Sequence, residues 1–87
     1  MNYTVVWVRS AEARLAHLWN TAPDRNAIAR ASDTIDDRLG RDPLGVGESR
    51  SGPYRILVVP PLAVHYKVSE DDRLVQVVRV WVVKANP

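Results

Sequence analysis

The sequence predicts an α+β domain in which two helices cover one face of a small antiparallel sheet, in the order β-α-α-β-β-β. Three observations predict it. The C-terminal third, Pro53 to Lys84, gathers the β-branched residues into three strand-like runs separated by short turn signals. The middle of the chain repeats apolar residues at helical spacing on both sides of Pro23. With 87 residues and no cysteine, the chain can build one core stabilised by packing alone, so residues 1–87 read as a single domain.

Thr4 to Val8 (TVVWV) is short and β-rich and reads as the opening strand. Ser10 is then a candidate N-cap, with Glu12 in the first turn. Leu15, Leu18, Trp19 and Ala22 follow at the spacing of one helical face, which predicts a first helix over residues 11–21. Pro23 cannot sit inside that helix, and Thr21 or Asp24 can cap the next. In the second helix Ile28, Ala31, Ile35 and Leu39 form the apolar stripe and Gly40 stands at the expected C-terminus. The mixed charges on its other side, Arg30, Asp33, Asp36, Asp37 and Arg38 among them, read as a solvated face.

Residues 41–52 (RDPLGVGESRSG) are rich in glycine and polar residues and read as a flexible linker. Gly45-Val46-Gly47 is too short to count as a phosphate-binding glycine motif, and no P-loop pattern is present. Tyr54 to Val59, Leu62 to Val68 and Leu74 to Val83 then form a meander. Pro60-Pro61 forces the first turn, and the charged run Ser69 to Arg73 makes the second. Alternation in the middle strand places Leu62, Val64, Tyr66 and Val68 on one side and Ala63, His65 and Lys67 on the other, wetter side. The last strand is apolar on both sides. It is therefore either covered on both faces or carries a bulge that swaps its sides near Arg79.

The formal charge is +2, with ten of the twelve basic residues arginine. That balance is compatible with a nucleic-acid partner but falls short of the footprint of a dedicated binder. No apolar run of about 18 residues is present, so no membrane partner is expected, and the absence of cysteine points to an intracellular, cytoplasmic protein. No metal or cofactor is expected.

Among the sheet residues, His65 alone has a side chain of a type that exchanges a proton readily near neutral pH. It shares a strand side with Lys67, and Arg55, Arg79 and Lys84 join them if the register allows. Together these would be a cationic constellation suited to a phosphate. Arg50 in the linker and Lys67 are the candidate nucleic-acid contacts. Against this, a single strand histidine and scattered arginines are commonly ordinary surface residues, and His17 on the first helix reads as structural. Tyr54 and Tyr66 read as packing residues with a hydrogen-bonded hydroxyl. Trp7, Trp19 and Trp81 read as packing residues or partner anchors ahead of a base-stacking platform.

Taken in order, the opening strand, the segment SAEARLAHLW…PDR…I, then GPYRI, the LAVHYKV strand, an acidic turn and VVRV resemble the RelE/ParE superfamily of toxins from bacterial type II toxin–antitoxin modules. The resemblance covers nearly the whole chain and is most specific from Gly52 to Val80. It implies a small toxin neutralised by an antitoxin that wraps it, and an exposed apolar edge or groove near the Trp-bearing elements to receive that partner. RelE-like members cleave mRNA on the ribosome without a metal, using the ribose 2′-OH as nucleophile, so such a site needs a base, an acid and cations. ParE-like members inhibit DNA gyrase without such chemistry. For a RelE-like ribosome-dependent endonuclease, the resemblance matches Arg55, at the arginine of the YRI strand, as the leading catalytic cation, and the residue types add His65, Arg79 and Lys84. The sequence departs from the cutters at Ala63, where many carry arginine, and in the Trp81-Val82-Val83-Lys84 ending. Those departures favour a ParE-like toxin, or one that only binds its antitoxin.

Overall fold

The computed structural model describes residues 2–83. Its elements are β1 (Thr4–Trp7), α1 (Arg9–Thr21), α2 (Arg25–Arg41), β2 (Glu48–Ser49), β3 (Tyr54–Val59), β4 (Leu62–Ser69) and β5 (Leu74–Val82). The five strands form one mixed sheet in the order β1-β5-β4-β3-β2. β2 through β5 are antiparallel neighbours, as the short connections require, while β1 runs parallel to β5. The helical hairpin is the crossover that carries the chain from edge strand β1 to the meander, and this makes the parallel pairing possible.

α1 begins two residues before the expected start and has no side-chain cap. The reason lies in β1: the Val8 N–H donates to the Val77 carbonyl at 3.0 Å, while the Val8 carbonyl already accepts the Glu12 N–H at 2.9 Å. Strand therefore passes straight into helix, and Ser10 falls inside the first turn. α2 starts as expected, with the Asp24 carboxylate accepting the Ala27 N–H at 3.1 Å. It continues through Gly40 to Arg41, and the Gly40 carbonyl accepts the Tyr3 N–H at 2.7 Å, tying the helix end to the chain just before β1. No helix among the described residues is long and apolar enough to cross a membrane.

The core lies between the hairpin and one face of the sheet. Ala11, Leu18, Ile28, Ala31, Ile35 and Leu39 from the helices meet Leu57, Leu62, Val64, Tyr66, Val75, Val77 and Val80 from the strands. Val78 is the extra residue of a bulge in β5, because His65 pairs with Arg79 while Tyr66 pairs with Val77. The bulge resolves the apolar ambiguity of that strand. Before it the odd-numbered residues Val75 and Val77 enter the core; after it the even-numbered Val80 does, and Arg79 and Trp81 turn to the opposite face.

Residues 41–52 are more ordered than their composition implies. They contain the two-residue strand β2, paired with β3, and a turn in which the Asp42 side chain accepts the Gly45 N–H at 3.0 Å. Pro43 is fully buried, and its carbonyl accepts a hydrogen bond from the Tyr66 hydroxyl at 2.8 Å. A segment read as linker is thus fastened to the core by a side chain from β4.

Candidate functional site

Both helices pack on one face of the sheet, and the register defines what the other, open face presents. Cross-strand partners share a face, so three rows can be traced from β3 through β4 to β5. They are Val58, Ala63 and Trp81; then Ile56, His65 and Arg79; then Tyr54, Lys67 and Gln76. Glu48 of β2 extends the middle row, and Val6 of β1 extends the third. The Tyr54 and His65 rings lie with centroids 4.9 Å apart and planes tilted by 48°. Val58 is 50% exposed, and Ile56, His65, Lys67 and Trp81 are half-buried.

This face holds much apolar and aromatic surface and few charges. Its strand cations are Lys67 and Arg79, and its acid is Glu48, which pairs with exposed Arg50 at 3.3 Å. Of the residues expected to act together, His65, Lys67 and Arg79 do share one surface. Arg50 stands across the sheet from Arg79, beyond the end of β2, already engaged by Glu48. Lys84 lies outside the described residues.

Arg55 departs from the expected grouping. It pairs with Tyr66, so its side chain leaves the strand on the helix-bearing face, opposite to that of His65. The expectation that register would unite them fails on parity, since positions 55 and 65 belong to strands whose pairing matches Ile56, not Arg55, to His65. Arg55 donates from Nε to the Tyr66 hydroxyl at 3.4 Å and from its terminal nitrogen to the carbonyls of Val46 at 3.2 Å and Gly47 at 3.4 Å. The Tyr66 hydroxyl also reaches the Val46 carbonyl at 3.0 Å. Its one proton therefore lies between two carbonyls while its oxygen accepts from Arg55. Burial pushes the Tyr66 hydroxyl above its ordinary pKa of 10.0, and the Arg55 hydrogen bond and charge offset part of that. The phenol is neutral and its work is to hold the 42–47 segment against the sheet.

The tryptophans divide by environment. Trp7 packs against the core and donates from Nε1 to Asp36 Oδ1 at 2.7 Å, joining β1 to α2. Trp19 is 41% exposed, with the Arg25 guanidinium 4.8 Å from its ring centroid. Trp81 belongs to the open face and also walls a cleft of about 390 Å³ beside α1, shared with Ser10, Arg14 and Arg79. Arg14 had no signal in the sequence beyond its charge. Among the described residues no cluster of three or more His, Cys, Asp or Glu side chains could hold a metal ion.

No protein-family model matches the sequence, and no curated protein matches it either. Solved structures do. Over 94% of its length the chain is similar to a chain of the toxin–antitoxin complex RelBE2 from Mycobacterium tuberculosis, covering 99% of that chain at 21% identity with a TM-score of 0.78. It is also similar to a chain of the ParDE toxin–antitoxin system of P. aeruginosa, with 94% and 97% of the two chains covered, 18% identity and a TM-score of 0.65. The isolated E. coli RelE toxin aligns over 97% of this chain and 87% of its own at 13% identity, with a TM-score of 0.69. The fold is therefore that of RelE/ParE-like toxins, α+β as the sequence predicts, and its structural neighbours come from toxin–antitoxin modules.

Proposed function

We propose that this chain is the toxin subunit of a type II toxin–antitoxin module and that it acts as ParE-like toxins do, by binding its target through the open sheet face without cutting RNA. The observation that carries this reading is the placement of Arg55. The cation that the RelE resemblance assigns to the phosphate is spent on Tyr66 and two loop carbonyls, on the face opposite to His65. What remains around His65 is a surface of Tyr54, Ile56, Val58 and Trp81 rimmed by Lys67 and Arg79, the composition of a protein contact with aromatic anchors. The target class implied is DNA gyrase, and neutralisation would come from a cognate antitoxin in the cytoplasm.

A second reading, a RelE-like mRNA endonuclease at the ribosome, draws on one observation: His65 and Arg79 are direct cross-strand partners, with Lys67 on the same side. In that case His65 would move the proton and the two cations would brace the phosphate.

Purified protein added to a supercoiling reaction and, in parallel, to a translation extract separates the two. The expected result is inhibited supercoiling with full-length mRNA by primer extension. Val58→Asp, which puts a charge on the apolar end row of the open face at an exposed position, should abolish the inhibition without lowering the unfolding midpoint. Cleaved mRNA whose cleavage disappears in His65→Gln would replace the first reading with the second. Intact mRNA together with unaffected supercoiling would remove both.

A further inference from the structure

We propose that the open sheet face is self-complementary and pairs two copies of this chain, face to face, about a two-fold axis that runs along the strands between β3 and β4. The dimer itself stands on strand register and charge. Only its consequence, that each copy covers the surface assigned to the target, rests on the toxin reading.

A two-fold axis in that direction keeps each cross-strand row at its own level and reverses the order of the strands within it. β3 of one copy then lies over β4 of the other, and β2 over β5. The middle row, Glu48, Ile56, His65 and Arg79, carries its acid at one end and its arginine at the other. Reversed upon itself, it sets Glu48 of each copy against Arg79 of the other, and Ile56 against His65. In the next row Arg50 stands beside Tyr54, whose carbonyl accepts the Arg50 N–H at 2.8 Å, and the row continues through Lys67 to Gln76. Reversal there brings the Lys67 ammonium to the Tyr54 ring and the Arg50 guanidinium to the Gln76 amide. The last row opposes exposed Val58 to Ala63, with Trp81 overhanging the same valine.

Other two-fold axes in the plane of contact match the charges less well. An axis along β4 would oppose His65 to His65 and Lys67 to Lys67, and an axis along the rows would oppose Glu48 to Glu48 and Arg79 to Arg79. The groups that would pair are also free to do so. Among the described residues Arg79 has no carboxylate within ion-pair distance, and Glu48 meets Arg50 through Oε2, which leaves Oε1 for a second guanidinium. Packed sheets stand about 10 Å apart, a gap that a glutamate and an arginine side chain span together. The patch is roughly 20 Å on a side at ordinary strand and residue spacings, so each copy buries on the order of 500 Å². An area that small, on a face where Arg50, Lys67 and Arg79 outnumber Glu48, sets a weak dimer, half formed at on the order of 100 μM chain.

Sedimentation equilibrium of the full chain, from about 10 μM to about 1 mM at about 0.15 M salt, should show a reversible monomer–dimer equilibrium. Glu48→Arg and Arg79→Glu each turn both ion pairs into like-charge contacts, so each variant alone should dimerise at least about tenfold more weakly. Mixed in equal amounts, the two should form a mixed dimer about as tight as the parent's, since each supplies the sign the other lacks. The chain carrying both substitutions keeps the net charge of the face and should dimerise by itself again. Both positions are exposed, and circular dichroism should show the parent's fold in every chain. A parent that stays monomeric to about 1 mM would overturn the proposal. So would a dimer that withstands Glu48→Arg, or one that neither mixing nor the double substitution restores. None of these readouts involves supercoiling or mRNA, so the dimer and the toxin reading fail separately.

Discussion

Replacing Tyr66 by phenylalanine isolates the contribution of one hydroxyl to the 42–47 segment. The ring is fully buried and phenylalanine fills the same space, so no cavity forms. What is lost is the donor between the Pro43 and Val46 carbonyls and the acceptor for Arg55 Nε. Val46 keeps the Arg55 terminal nitrogen at 3.2 Å, but the Pro43 carbonyl, in a fully buried residue, keeps nothing. An unsatisfied buried carbonyl costs about 1–3 kcal/mol, and we expect about 2 kcal/mol from urea unfolding at pH 7. Arg55→Ala should cost less, because it leaves the Tyr66 hydroxyl on both carbonyls. The variants also differ at alkaline pH. Since burial raises the Tyr66 pKa in the folded chain, the unfolded chain releases that proton first. The phenol's contribution is complete below the ordinary value of 10.0 and is lost as pH rises through the higher folded value. Tyr66→Phe should remove this alkaline limb. A variant as stable as the parent at pH 7, with an unchanged decline above pH 10, would show that the hydroxyl does not hold the segment.

Gly47 has φ of +71°, and a Cβ there would sit 2.5 Å from the Ile56 carbonyl and 2.9 Å from the Tyr66 hydroxyl, so Gly47→Ala should cost at least about 2 kcal/mol and raise hydrogen exchange through residues 42–49. An alanine variant that unfolds at the parent's midpoint would contradict that geometry. Asp24→Ala should lower stability by about 1 kcal/mol through loss of the α2 cap, read from the thermal midpoint, while Asp24→Asn should restore most of it. Arg79→Ala, at an exposed position without an acidic partner among the described residues, should leave the stability within about 0.5 kcal/mol of the parent in urea unfolding.

The strands of the meander and both helices were legible because each carries a periodic pattern that burial enforces. Ile28, Ala31, Ile35 and Leu39 recur on one side of α2, and all four are in the core. Less legible were features that depend on partners distant in sequence. Ser10 looks like a cap, but the start of α1 is set by the hydrogen bond of Val8 to Val77, a residue on the last strand. Glu48 and Ser49 have no strand propensity of their own and become β2 only because β3 offers an edge. The glycine-rich composition of residues 41–52 describes the freedom of the unfolded segment and says nothing of the tyrosine that captures it.

The candidate site shows the same division more sharply. Which residues could bear chemistry was readable from type alone: His65, Lys67 and Arg79 do lie on one surface. Whether Arg55 joins them was a question of pairing parity between β3 and β4, and a shift of a single residue would have put it beside His65. Arg79 poses the converse case. By simple alternation from Val75 and Val77 it belongs with the core residues, and only the extra residue Val78 turns it outward. One bulge therefore does two things at once. It gives the open face its arginine and Trp81, and it keeps Val80 and Val82 facing the side that β1 has just vacated. Deletion of Val78 should therefore leave a regular ladder in which Arg79 still meets His65 on the open face and Val80 still enters the core, whereas drawing Val78 into the ladder as a paired residue would turn Arg79 toward the core and bury an unpaired guanidinium among the helices.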